Sequence, residues 1–102
     1  LMTTPTDLIA RLEQSTGPDR ELDAAIYFIV RGKTIPCPPA YTSSLDAALT
    51  LVPEGTEWQI GSANLIKKCW AEIIWRDATC IANAATPSIA LSIAALKARE
   101  AR

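Results

Sequence analysis

Lys68-Cys69-Trp70-Ala71-Glu72-Ile73-Ile74-Trp75 decides the fold class. Its aromatic and β-branched residues alternate with a period of two, as a strand requires. Cys69, Ala71, Ile73 and Trp75 fall on one side, and Trp70, Glu72, Ile74 and Arg76 on the other. The first set is the expected core face, because the second carries charge. Upstream, Glu57-Trp58-Gln59-Ile60-Gly61 repeats the alternation with Trp58 and Ile60 together, and Ser62-Ala63-Asn64 reads as a turn. Downstream, Arg76-Asp77-Ala78-Thr79 turns the chain and Cys80-Ile81-Ala82-Asn83-Ala84 returns as a third strand. Connections this short imply an antiparallel meander.

Helical patterns flank this strand region. Thr4-Pro5-Thr6-Asp7 opens a first helix with Thr4 as N-cap, and Leu8, Ile9 and Leu12 form its apolar face. Pro18 is expected at N1 of a second helix, with Asp19, Glu21 and Asp23 crowding its positive end. Leu22, Ala25, Ile26, Ile29 and Val30 follow at helical spacing, and Gly32 suits the position after the last turn. Ile26 to Val30 also has strand propensity, but periodicity and caps agree on a helix. The two helices form an αα-hairpin. Lys33 to Ala40 holds Pro36, Pro38 and Pro39 and reads as a stiff extended connector. Ser43 is then expected to cap a third helix with Asp46 at N3, and Leu45, Ala48, Leu49 and Val52 form its stripe before Pro53 stops it. Thr86 and Pro87 open a last helix, whose stripe is Ile89, Ile93 and Leu96. The small residues among them suit a close approach to a sheet. The whole is an α+β chain, 1–102 as a single domain, with a small antiparallel three-stranded β-sheet flanked by helices.

Composition narrows the chemistry. The chain has 102 residues, no histidine and a net charge of −1. Without histidine, Ser-His-Asp and Cys-His machinery is excluded, and a Cys/His zinc site is nearly so. A net charge near zero predicts no phosphate-tracking surface, so no nucleic-acid partner is expected. Cys37, Cys69 and Cys80 are odd in number and lack C-x-x-C spacing, which suggests a reducing cytoplasm rather than a disulfide framework. No stretch is long and apolar enough for a membrane span, and no signal peptide is expected. Gly17, Gly32, Gly55 and Gly61 stand apart, so no phosphate-cradling loop is present. The acidic pairs read as surface charge. No cofactor and no catalytic residue is expected.

One constellation suggests binding. Two helix starts carry hydroxyl residues, at Thr42-Ser43-Ser44 and at Thr86-Pro87-Ser88, and helix starts offer free N–H groups to anions. Tyr41 sits at the first, and Trp58 and Trp70 lie on strands that the fold brings near. Arg76 follows on the charged face. Aromatic faces, backbone donors and a guanidinium are what a nucleotide needs. The expected ligand-binding set is therefore Tyr41, Thr42, Ser44, Trp58, Trp70, Arg76 and Thr86. The plainer reading makes the aromatics core or interface residues and the hydroxyls mere caps.

Asp7 to Glu13, Thr16 to Asp23, Tyr41 to Ala48 and Ala85 to Leu91, taken in order, resemble the phage ABA sandwich domain family of small phage and prophage proteins. The resemblance implies a layered α-β-α sandwich and brings no activity or catalytic residues. Two functions follow as expectations. One is a non-catalytic cytoplasmic phage protein that sequesters a nucleotide-derived immune signal. The other is an interaction module for a host or phage protein, working through a homo-oligomeric surface that carries Trp70 and Ile74.

Overall fold

The computed structural model describes residues 4–63, 68–75 and 78–101. Helix α1 spans Pro5–Gln14, α2 Arg20–Arg31 and α3 Leu45–Leu49. Strands β1 (Glu57–Ala63), β2 (Lys68–Trp75) and β3 (Ala78–Ala84) follow, and α4 (Pro87–Ala101) comes last. The fold is α+β, with helices packed on an antiparallel sheet of order β1-β2-β3. Glu72 of β2 faces Gln59 of β1 and Ile81 of β3, so the meander runs in simple register.

The sheet faces divide as the alternation requires. Ala71, Ile73, Ala82 and Ala84 are buried on one side, where α4 lies across β2 and β3. The far side of α4 is taken by α1 and α3. Helix α4 is therefore a middle layer, with Ser88 to Leu96 buried without a break. The three-residue stripe expected of it is too narrow. Its alanines and serines make the full enclosure possible, because small side chains let neighbours approach on every side. Ser92 is buried too, and its hydroxyl bonds the Ser88 carbonyl at 2.8 Å, one turn back.

Local chemistry sets the helix starts. The Thr4 hydroxyl accepts from the Asp7 N–H at 3.1 Å, and that of Thr86 from the Ile89 N–H at 3.2 Å. Two starts move from their expected places. Pro18 lies outside α2, and Asp19 is the cap, its carboxylate accepting from the N–H groups of Glu21 and Leu22. Ser44 rather than Ser43 caps α3, because Ser43 closes the preceding turn by bonding its N–H to the Ala40 carbonyl. Helix α3 is also shorter than its stripe. After Leu49 the chain tightens, with the N–H groups of Leu51 and Val52 bonding three residues back. That overwinding turns Leu51 into the core and leaves Val52 half-buried. At the sheet, Ser62 and Ala63 extend β1 and Ala78 and Thr79 begin β3 instead of turning, and the rest of both expected turns, Asn64 and Arg76-Asp77, lies outside the described residues. Gly32 ends α2 at φ 75°, a left-handed conformation that favours glycine.

The connector is fastened to α2 by a buried carboxylate. Asp23 is 1% exposed. Its Oδ1 accepts from both the Thr42 N–H and the Thr42 hydroxyl at 2.8 Å, and its Oδ2 accepts from Arg20 at 2.9 Å. The other arm of Arg20 donates to the Pro38 carbonyl at 2.8 Å. Thr42 Oγ1 in turn accepts from the Asp19 N–H at 2.8 Å. Removing Asp23 leaves the buried Thr42 N–H without an acceptor, while the Thr42 hydroxyl can turn to the Asp19 carbonyl and the exposed Arg20 arm to water. Asp23→Ala and Thr42→Val are each expected to cost about 1–3 kcal/mol. The double variant should lose less than the sum. Urea unfolding of the three variants checks this, and strictly additive losses would show that the two residues act separately.

Candidate interaction surface

Among the described residues, those expected to form a ligand site do not share one. Tyr41 is 3% exposed and Thr42 fully buried, so neither side chain reaches solvent. Thr42 is spent on Asp19 and Asp23, and Tyr41 packs in the core while its carbonyl lies 3.3 Å from the Ser92 hydroxyl. Ser44 and Thr86 cap α3 and α4. Trp58 and Trp70 sit on opposite faces of the sheet, since Trp58 pairs with Ile73 and Trp70 with Gly61. Arg76 lies outside the described residues. The plainer reading, caps and core, holds for Tyr41, Thr42, Ser44 and Thr86.

Burial pushes the Tyr41 phenol above its ordinary value of 10.0, against the opposing pull of the Arg31 charge. The folded state then holds this proton where the unfolded chain has released it. The stability it contributes is full below pH 10 and is lost as pH rises through the folded value. Alkaline titration at the phenolate absorbance should show one tyrosine ionising late and together with unfolding, and Tyr41→Phe should remove that late step.

What the fold does bring together is the outer face of the sheet. Gln59, Trp70, Glu72, Ile74, Ile81 and Asn83 point away from α4. Among the described residues no helix covers them. Ile81 is 55% exposed, and Trp70 and Ile74 are half-buried. Glu72 stands in the middle, directly opposite Ile81 and two residues from both Trp70 and Ile74. The position of Trp70 has a specific cause. Its indole lies on Gly61 of β1, where a Cβ would stand 2.6 Å from the ring. Glycine here gives the aromatic a flat seat, a pairing that stabilises strand glycines. Sequence alternation placed Trp70 on this face, but the seat at Gly61 needed the strand register to be seen. Gly61→Ala is expected to lift the indole and cost about 1–3 kcal/mol through overpacking. A red-shifted tryptophan emission with a lower Tm would record it, and unchanged emission would show that the ring does not use that seat.

Elsewhere the molecule offers little. A polar cleft of about 350 Å³ lies between α1 and α2, lined by Arg11, Gln14, Thr16, Pro18, Asp19 and Leu22. Its arginine leans toward Glu21 at 3.8 Å on an exposed surface, a pair worth little. A smaller, more apolar hollow of about 220 Å³ lies by Ile29, Val30 and Leu96. Among the described residues no group of cysteines and carboxylates is placed to hold a metal, and the three cysteines are free thiols. No helix among them is long and apolar enough to cross a membrane. The class these features define is a small α+β domain with one open sheet face. Comparison with protein-family models, curated proteins and solved structures gives no match.

Proposed function

We propose that this protein is a non-catalytic interaction module that docks another protein on the outer face of its sheet. The observation that supports this is the cluster of Trp70, Ile74 and the exposed Ile81 around Glu72, on a sheet face that no described helix covers. Soluble domains rarely leave contiguous apolar surface open without a use. Glu72 gives the face a chemical preference. Among the described residues it has no cation as a partner, and docking would strip its water. A carboxylate with Trp70, Ile74 and Ile81 on three sides and only the neutral Gln59 on the fourth calls for a cation on the incoming surface. The partner is thus a protein that presents a lysine or arginine within an apolar patch. On the resemblance to phage ABA sandwich proteins, it would be a host or phage protein.

A nucleotide-sequestering role fits this geometry less well, because Tyr41 and Thr42 are closed off and the two tryptophans face apart. A ligand at 100 times its Kd would add about 2.7 kcal/mol of stability. In so small a domain that should raise Tm by roughly ten degrees. The expected outcome across nucleotides and cyclic oligonucleotides is no shift.

The positive test uses immobilised protein with host extract. The native chain and Phe28→Ser, altered on an exposed residue of α2, should retain the same partner. Ile81→Glu and Glu72→Lys should each weaken retention tenfold or more, and added salt should weaken it further. A partner held equally by all four chains, or a nucleotide that raises Tm selectively, would overturn the reading.

A further inference from the structure

Strand β1 has a neighbour on one side only. Its other edge presents unpaired backbone donors and acceptors along seven residues, Glu57–Ala63. Among the described residues nothing bonds to that edge. It also lacks the usual protections: no proline, no lysine, and no bulge in its register with β2. A second observation falls on the same strand. By register Trp58 belongs to the core face, opposite the buried Ile73, yet it is 41% exposed. Helix α4 lies over β2 and β3 and reaches β1 only at its margin. Trp58 is therefore a core residue at an unfinished rim. An added strand would satisfy the backbone and cover the indole at once.

We infer that the missing strand is β1 of a second copy, paired antiparallel about a twofold axis perpendicular to the sheet. This surface and its occupant are independent of the docking face described above. Residues opposed in an antiparallel pair must share a sheet face. With the axis at Ile60 every pair does so: Trp58 meets Ser62 of the second copy, Gln59 meets Gly61, and Ile60 meets itself. The large indole thus lies against a small side chain on the core side. Charge also separates this arrangement from its rival. In the edge pairing Glu57 faces Ala63, and the two Glu57 carboxylates sit at opposite ends of the seam. Packing two outer faces together would instead press Glu72, central on that face, toward its own copy, and like charges taken out of water repel strongly. The edge suits a second copy, whereas the face suits a different partner. The product is a continuous six-stranded sheet with both α4 helices on one side.

Sedimentation velocity and light scattering on the native chain should give twice the monomer mass. Trp58→Lys should give the monomer mass with an unchanged circular dichroism spectrum, since the residue is already well exposed. Covalent trapping tests the register. Side chains at opposed positions have Cβ atoms about 4.5–5.5 Å apart, close to what a disulfide spans. Mild oxidation of Ile60→Cys should yield a covalent dimer, while Gln59→Cys and the native chain should not. A native chain at the monomer mass overturns the inference. So does a dimer that survives Trp58→Lys but dissociates in Ile81→Glu, a result that would place the second copy on the sheet face instead.

Discussion

The carboxylate of Asp23 is the constraint on which the helical side of the molecule depends. A charge at 1% exposure persists only if its acceptor capacity is met, and here a backbone N–H, a hydroxyl and a guanidinium meet it. The bonds span 19 residues, from α2 to the far end of the proline-rich connector. They fix where the chain stops being extended and starts to turn. That turn fixes Ser44 as the cap of α3, and it seats Tyr41 against α4. Thr42 cannot both donate to Asp23 and bond the Asp19 carbonyl at 3.3 Å, having one hydroxyl proton. The shorter contact takes it, and the Asp19 N–H supplies the remaining partner. A hydroxyl that looks like part of a binding site in the sequence is fully committed to structure.

Much of the architecture was legible because it rests on short-range chemistry. The alternation in Lys68 to Trp75 assigned the strand and its core face, and Ala71 and Ile73 are buried there. Thr4 and Thr86 cap as their surroundings require. Gly32 adopts the left-handed conformation that ends α2. What was not legible depends on distant parts of the chain. Asp23 reads as one more acidic residue in a helix's first turn until Thr42 arrives above it. Helix α4 has no charge from Ser88 to Leu96, a pattern that signals burial on every side, but nothing in its own sequence says that α1 and α3 are what cover its other side.

The candidate site divides on the same principle. Alternation placed Trp70 and Ile74 on the charged face of β2, and that face stays open in the fold. The hydroxyl-rich helix starts gave a misleading signal, because residues that suit an anion also suit a cap. Tyr41 and Thr42 sit beside a helix start in the sequence and beneath it in the structure. The seat of Trp70 on Gly61 links residues on neighbouring strands and became visible only with the register.

Helix α4 comes last in the chain and lies in the middle of the layers. During synthesis, the sheet and the α1–α3 tier leave the ribosome before the element that separates them. Until Pro87–Ala101 emerges, Ala71 and Ile73 on one side and Leu8 and Leu12 on the other have no lasting surface to bury against. The core therefore closes only then, and the contacts of α4 with α1 and α3 join residues far apart in sequence, which are the slow ones to form. A chain halted before that step would display two apolar surfaces at once and be marked for chaperones or proteases. Closure of the core thus waits on the fifteen residues Pro87–Ala101.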